Sequence, residues 1–172
     1  TRGRSYAEVH AHFAERIEGL PDAAAFWPRF SGTLFELLES ELTPFDDAIA
    51  TARQLDARGI PVAIASSSPR ERLDRTLRAA GLEELFHVTV AGDEVERGKP
   101  APDLFLAAAR RLGVPPEDCV AVEDSPPGVE SALAAGMTVV AVARAPEHRD
   151  ALGAHAVDEL TAAVVEAAAR RR

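Results

Sequence analysis

Short apolar runs alternate with amphipathic helical patterns along the chain from about Thr43 onward. Unbroken runs rich in Val, Ile and Ala are typical of strands in a parallel sheet that is covered on both faces. Between these runs, apolar residues recur at the spacing of one helix face. The predicted strands span residues 61–66, 88–91, 119–123 and 138–143, and predicted helices span 46–58, 70–80, 102–112 and 160–172. This alternation predicts an α/β fold with a doubly wound, Rossmann-like parallel sheet.

Four helical patterns end with the same signal, a glycine followed by an apolar residue. Glycine adopts the left-handed conformation that closes a helix, and the apolar residue then packs back onto the last turn. The four pairs are Gly59-Ile60, Gly81-Leu82, Gly113-Val114 and Gly136-Met137. Each pair therefore predicts the point at which the chain leaves a helix.

The first 42 residues show helical stripes of apolar residues and no strand pattern. One stripe comprises Val9, Phe13 and Ile17, and the other comprises Phe30, Leu34, Leu37 and Leu38. Pro21 and Asp22 lie between the two stripes and predict a break there. We therefore predict a partial helical cap over residues 1–42 and an α/β core over residues 43–172, with the boundary near Thr43.

Composition and charge narrow the possible functions. The chain is 47% hydrophobic, which is typical of a globular protein, and its net charge of −9 argues against nucleic acid as the main partner. The single cysteine, Cys119, allows no internal disulfide, which fits a reducing compartment such as the cytoplasm. No apolar run approaches the roughly 20 residues needed to span a bilayer. We expect a monomer or a weak homodimer that binds a small molecule.

The first candidate site follows the predicted strand at 61–66, where ligands bind in open α/β sheets. Ser66-Ser67-Ser68 precedes a helix that is predicted to begin at Arg70. Serine hydroxyls and backbone N–H groups at this position bind phosphate, and Arg70 adds a cation. Taken alone, these serines are more readily explained as helix caps.

Two further clusters supply the other parts that phosphoryl transfer requires. Lys99 lies in a loop stiffened by Gly98 and two prolines, so its ammonium group is suited to neutralising a transferring phosphoryl group. Glu123 and Asp124 end a predicted strand and are oxygen ligands suited to Mg²⁺. Individually, the lysine is also typical of a solvated loop and Asp124 of a helix cap. Together, the three clusters favour metal-assisted phosphoryl transfer.

The same motifs resemble those of the haloacid dehalogenase superfamily and, within it, the β-phosphoglucomutase-like group with a helical cap. The resemblance rests on residues 64–68 (IASSS), 98–105 (GKPAPDLF), 122–125 (VEDS), Gly128 and 134–137 (AAGM), in this order. It implies that Ser66 binds the transferring phosphoryl group and that Lys99 bridges that group and the nucleophile. It also implies that Asp124 ligates magnesium with Glu123 beside it, and that Gly3-Arg4-Ser5 is a cap loop that contacts the substrate.

One part of the family pattern is missing from these 172 residues. The family nucleophile is the first aspartate of a D-x-D segment on the first strand, and the second aspartate is its general acid and base. The sequence contains no D-x-D. The resemblance places that strand between the predicted strands 61–66 and 119–123. We therefore hypothesise that the intact protein carries this strand in a preceding segment and that residues 43–172 form a core without it.

The resemblance implies a magnesium-dependent phosphatase that acts on a small phosphorylated metabolite, such as a sugar phosphate, through an aspartyl-phosphate. One alternative is a sugar-phosphate mutase. The mutase has an arginine after the Gly-x-Ser of its cap loop, whereas this chain has Tyr6 there. Another alternative is a catalytically inactive binding or regulatory protein of the same descent, which the missing aspartates favour.

Overall fold

A computed structural model describes residues 6–144, 149–150, 152 and 156–170, excluding the side chains of residues 6–8, 34–35 and 37–40. The predicted Gly3-Arg4-Ser5 loop lies outside the described residues. Two helices, α1 (Tyr6–Ala14) and α2 (Ala23–Glu41), precede the α/β part. The elements that follow are α3 (Asp46–Asp56), β1 (Ala63–Ala65), α4 (Arg70–Ala79), β2 (Val88–Val90), α5 (Asp103–Leu112), β3 (Val120–Glu123), α6 (Pro126–Ala134), β4 (Thr138–Ala141) and α7 (Ala162–Ala169).

The strands form two parallel pairs. Strand β1 pairs with β2 through Ala63 opposite Val88, and β3 pairs with β4 through Val120 opposite Thr138. Among the described residues no ladder joins β1 to β3, so each of these strands has one edge with no ladder beside it. The predicted α/β fold with parallel strands is therefore confirmed, and the strands are shorter than the apolar runs that predicted them.

All four glycine signals end helices as predicted. Gly59, Gly81, Gly113 and Gly136 have φ between 64° and 80°, the left-handed region that glycine adopts without strain. The residue after each glycine donates its backbone N–H to a carbonyl five residues earlier, at 2.9–3.1 Å. These bonds satisfy carbonyl groups that the end of a helix would otherwise leave unpaired.

Helix α5 packs on both strand pairs and so fixes their relative position. Leu104 and Ala108 lie in a buried cluster with Val90 of β2, while Phe105 and Ala109 lie in a second cluster with Ala121 of β3. On the other side, apolar residues of α3, β4 and α7 form a third buried cluster. Helices therefore cover both faces of the strand layer, as the uninterrupted apolar runs predict.

The predicted break near Pro21 separates α1 from α2. The Asp22 side chain accepts a hydrogen bond from Ala25 N at 2.9 Å and so caps the first turn of α2. Aromatic side chains of the two helices pack together, and His10 Nε2 lies 2.9 Å from the Pro21 carbonyl oxygen. The division at residue 42 into a cap and a core stays a prediction. None of the described helices is both long enough and apolar enough to cross a bilayer.

Asp47 at the start of α3 links three parts of the core. Its carboxylate accepts hydrogen bonds from the Arg144 guanidinium and from Leu160 N, both at 2.8 Å. The Arg144 guanidinium also lies over the Phe45 ring, 4.3 Å from the centroid. The hydrogen bond from Arg144 is the main cause that lowers the pKa of Asp47 below its ordinary value.

We expect Asp47→Asn to lower the free energy of unfolding by about 1–2 kcal/mol at neutral pH, since the pair is largely buried. A lowered folded-state pKa stabilises the protein above the unfolded-state pKa of about 4 and is lost as pH falls through the folded value. The difference in the free energy of unfolding between variant and wild type should therefore become smaller below about pH 4. Urea unfolding from pH 3 to 7 measures this, with exposed Asp46→Asn as the matched control. Equal pH dependence of the Asp47 variant and wild type would contradict the assignment.

Candidate active site

The loop after β1 turns sharply around Ser66. Ser66 N donates to the Val90 carbonyl at 2.9 Å, which extends the β1–β2 ladder by one bond. Ser66 Oγ then accepts a hydrogen bond from Ser68 N at 3.1 Å. Gly92 N donates to the Ser68 carbonyl at 2.8 Å, and a Cβ at Gly92 would lie 2.4 Å from the Ser67 carbonyl oxygen. The serine loop therefore has its shape because glycine lets the neighbouring backbone approach it.

Lys99 is presented by a tight turn that is anchored to α6. Ala101 N donates to the Gly98 carbonyl at 3.0 Å, which closes the turn, and the Lys99–Pro100 peptide within it is cis. The fully buried Ser131 donates its hydroxyl hydrogen to the Ala101 carbonyl at 2.6 Å. From this turn the lysine side chain crosses to the end of β1, where Nζ donates to the Ala65 carbonyl at 3.2 Å.

Lys99 and Glu123 form a buried ion pair. Their side chains are only 10% and 7% exposed, and the lysine ammonium contacts Glu123 Oε1 directly. The other carboxylate oxygen, Oε2, accepts hydrogen bonds from Asp124 N at 3.2 Å and Ser125 Oγ at 3.0 Å. A Cβ at Gly128 would lie 2.1 Å from the carboxyl carbon of Glu123, so the glycine makes room for this group. Both oxygens of Glu123 therefore have partners within the protein.

The serine loop, Lys99 and Glu123 line one cavity of about 420 Å³ between the two strand pairs. Ile64 and Ala65 of β1 lie on one side and Val122 of β3 on the other. Although Val122 is in the middle of a strand, it is 39% exposed, which shows that the β3 wall is open toward the cavity. The polar lining comprises Ser66, Ser67, Ser68, Arg72, Lys99, Glu123, Asp124, Ser125 and Arg144.

Six of the predicted site residues thus line the same cavity, although Ser66 and Asp124 are 58 positions apart in the chain. Arg70 does not line the cavity. Its guanidinium donates to Asp74 Oδ1 and Glu94 Oε1, each at 2.9 Å, and to Thr89. Burial opposes the charge of Arg70, but the hydrogen bonds to the two carboxylates raise its pKa above the ordinary value.

Arg72 and Arg144 line the cavity and were not predicted. A signal for Arg72 exists in the sequence, because it lies in the first turn of the predicted helix that follows Ser66-Ser67-Ser68. Its Nε and Nη2 atoms donate to Ser68 Oγ at 3.0 and 2.5 Å. Arg144 follows the last strand, where no local pattern distinguishes it from other loop arginines.

The cavity offers a partial magnesium site. Magnesium is held by one or two carboxylates while substrate phosphate oxygens and water complete its shell. Asp124 lines the cavity and fits this role, whereas Glu123 is ion-paired with Lys99. Within the described part of the chain no group of three or more His, Cys, Asp or Glu residues forms a metal cage. These residues fit a magnesium ion that completes its shell with substrate.

The chain matches a protein-family model and several curated proteins. A family model described as haloacid dehalogenase-like hydrolase matches residues 6–136. The chain is 41% identical over 123 residues to the bifunctional riboflavin kinase/FMN phosphatase of Arabidopsis thaliana, which covers 71% of this chain and 31% of that protein. It is 38% identical over 143 residues to hexitol phosphatase A of Escherichia coli, which covers 81% of this chain and 57% of that protein. The chain thus spans about a third and just over half of the lengths of these curated relatives.

A solved structure is similar over nearly the whole chain. The haloacid dehalogenase family hydrolase of Deinococcus radiodurans, crystallised with phosphate and sodium, has 36% sequence identity and a TM-score of 0.70. The alignment covers 97% of this chain and 78% of that one. The described strands and helices therefore have the arrangement of a known fold, over most but not all of its length.

Proposed function

Because the chain belongs to the haloacid dehalogenase-like hydrolases, we propose that it forms the greater part of a phosphatase that acts on small phosphorylated metabolites. The observation that carries this proposal is the position of Lys99. Its ammonium group contacts the end of β1 through Ala65 and the end of β3 through Glu123. At this position, where the two strand ends meet, the ammonium group can offset the negative charge of a transferring phosphoryl group.

In this proposal each residue around the cavity has a distinct task. The Ser66 hydroxyl and neighbouring backbone N–H groups bind oxygens of the phosphoryl group. Lys99 offsets the negative charge on those oxygens, and Glu123 orients the ammonium group. Asp124 would ligate magnesium, which when bound offsets further phosphoryl charge. Charges that the fold holds in place act without reorganising during the reaction, which is the source of their effect.

We propose further that the nucleophile is an aspartate on a strand that lies between β1 and β3. One carboxylate oxygen attacks phosphorus and the bond from phosphorus to the leaving oxygen breaks, while the second aspartate of the D-x-D segment that the resemblance implies donates a proton to that oxygen. Water then hydrolyses the aspartyl-phosphate and releases inorganic phosphate. The cavity between Ile64 and Val122, together with the ladder-free edges of both strands, supports a strand at this place. Apolar strand edges are rarely left uncovered, since they promote aggregation.

The substrate that we propose is a sugar or polyol phosphate, as the name of hexitol phosphatase A suggests. The test is release of inorganic phosphate by the intact gene product from p-nitrophenyl phosphate and hexitol phosphates, with magnesium and with excess EDTA. We expect turnover that magnesium supports and EDTA abolishes. Isomerisation of glucose 1-phosphate in place of hydrolysis would favour a mutase. No turnover beyond a Lys99→Ala control would favour a binding protein.

A further inference from the structure

Ser131 inside α6 is the most completely buried polar side chain among the described residues. It is 0% exposed, compared with 4% for Thr51 and 8% for Glu123. Burying a hydroxyl costs free energy unless the group is hydrogen-bonded, and serine is a poorer helix former than alanine. Alanine would therefore suit α6 itself better than serine, and the reason for the hydroxyl lies outside the helix.

The hydroxyl of Ser131 bonds to a distant segment and not to its own helix. A serine inside a helix commonly donates to the carbonyl four residues earlier, which here is that of Pro127. Instead, Ser131 Oγ donates to the Ala101 carbonyl at 2.6 Å, 30 positions away in the chain. This carbonyl belongs to the tight turn that presents Lys99, so the bond joins α6 directly to the segment that carries the lysine.

The same turn is also held by Arg97, but that contact lies in solvent. Arg97 Nε and Nη2 donate to Asp103 at 3.2 and 2.9 Å, and the Arg97 side chain is 67% exposed. Water and salt screen an exposed ion pair, whereas the Ser131 bond is buried. The two prolines of the turn have no N–H and so offer the segment few backbone bonds of its own. The hydroxyl is therefore the restraint on this turn that solvent does not weaken.

The position of the turn decides where the ammonium group of Lys99 lies. A lysine side chain is a flexible four-carbon stem, so its end is located by the backbone on one side and by its partners on the other. Nζ donates to the Ala65 carbonyl at 3.2 Å and contacts Glu123 Oε1. It also lies 4.9 Å from the centroid of the Phe105 ring. A shift of the turn would therefore lengthen these contacts or force the stem into another rotamer.

We propose that Ser131 is a positioning residue for phosphoryl transfer. Through the Ala101 carbonyl it holds the turn of Lys99 and so fixes the ammonium group between the ends of β1 and β3. This inference rests on the proposed phosphatase function. Ser131 lies outside the motifs that carry the family resemblance, and it does not line the cavity. Its effect on the reaction therefore runs through Lys99, which makes that effect separable from a general effect on folding.

The test is Ser131→Ala in the intact gene product, which removes one buried hydroxyl and no other group. We expect kcat for p-nitrophenyl phosphate to fall about 5- to 30-fold, since a displacement of up to about 1 Å in a reacting group has effects of this size. KM should change less than about twofold, because the serine loop is unaltered. The matched control is Thr51→Val, which removes another buried hydroxyl, one that donates to the Leu160 carbonyl at 3.1 Å. Both variants should lower the urea midpoint, but Thr51→Val should leave kcat unchanged.

A positioning effect disappears when the positioned group is absent. In the background Lys99→Met with Glu123→Gln, Ser131→Ala should lower the residual kcat less than about twofold. An equal fold loss in the two backgrounds would show that Ser131 acts through the fold in general. An unchanged kcat in the single variant would show that the hydroxyl does not position the lysine. Either result overturns the proposal.

A second readout does not depend on turnover. Acetylation requires an accessible, uncharged amine, so the ion-paired lysine side chain, which is 10% exposed, should react slowly. We expect Ser131→Ala to raise the acetylation rate of the peptide that contains Lys99 severalfold, as followed by mass spectrometry, and Thr51→Val to leave it unchanged. Equal rates in wild type and Ser131→Ala would refute the positioning role. Hydrolysis of p-nitrophenyl phosphate by wild type tests the phosphatase function separately, so the two failures are distinguishable.

Discussion

Replacing Lys99 with methionine is expected to lower kcat for phosphate-monoester hydrolysis about 10²- to 10³-fold in the intact gene product. Methionine retains an apolar stem that can pack near Phe105, whose ring centroid lies 4.9 Å from Nζ, but it removes the charge that offsets the phosphoryl oxygens. The measurement is the initial rate of phosphate release at saturating substrate. A variant with at least half of the wild-type kcat would exclude Lys99 from the reaction.

The same substitution should also destabilise the fold, because it leaves the buried Glu123 carboxylate unpaired. Breaking a buried ion pair from one side costs about 3–5 kcal/mol. The matched control is the double variant Lys99→Met with Glu123→Gln, in which neither charge of this ion pair remains. We expect the double variant to recover much of the stability in urea unfolding but none of the activity. If the double variant recovers both stability and activity, Lys99 supports activity only by stabilising the fold.

Gly92→Ala is expected to lower the free energy of unfolding by about 3 kcal/mol and to abolish activity. The new Cβ would lie 2.4 Å from the Ser67 carbonyl oxygen and 2.7 Å from its carbon, distances that require the backbone to move. The loop that moves contains Ser66 and Ser68, so stability and phosphate binding should be lost together. Thermal or urea unfolding, alongside the rate assay, measures both effects.

Gly32→Ala is the matched control for this prediction. Gly32 lies inside α2, has no heavy atom within 4 Å of an added Cβ, and should gain about 0.5–1 kcal/mol from the better helix propensity of alanine. The same substitution should thus lower the free energy of unfolding at Gly92 and raise it at Gly32. A stable, active Gly92→Ala variant would show that the serine loop tolerates displacement.

Much of this architecture could be predicted because the signals are local. Apolar runs located the four strands, and glycine followed by an apolar residue located four helix ends, since backbone conformation there depends on neighbouring residues. The convergence of Ser66, Lys99 and Glu123 could also be predicted, because the carboxyl ends of parallel strands meet at one edge. The predicted strands are longer than the ladders because an apolar run does not encode where pairing stops: Pro61 is exposed, and Ser66 adds only one backbone hydrogen bond to the β1–β2 pair.

The sequence does not show which partners a side chain contacts. Arg70 is predicted in the phosphate site, but Glu94, which is 24 residues away, and Thr89 bind its guanidinium outside the cavity. Glu123 stays a predicted magnesium ligand, and the structure places its Oε1 atom against Lys99. These choices depend on distant residues brought together by folding, and no periodicity in the sequence encodes them. The contact of Arg72 with Ser68 likewise depends on how the loop turns before the helix begins.

Helix α6 lies against the Glu123 carboxylate and against the turn that carries Lys99. Gly128 leaves the space that the Glu123 carboxylate occupies, and Ser131, one turn later, is bonded to the Ala101 carbonyl of that turn. One helix therefore constrains both the room available to the carboxylate and the backbone that presents the ammonium group. A substitution that shifts this helix is expected to alter the ion pair although neither charged residue is changed.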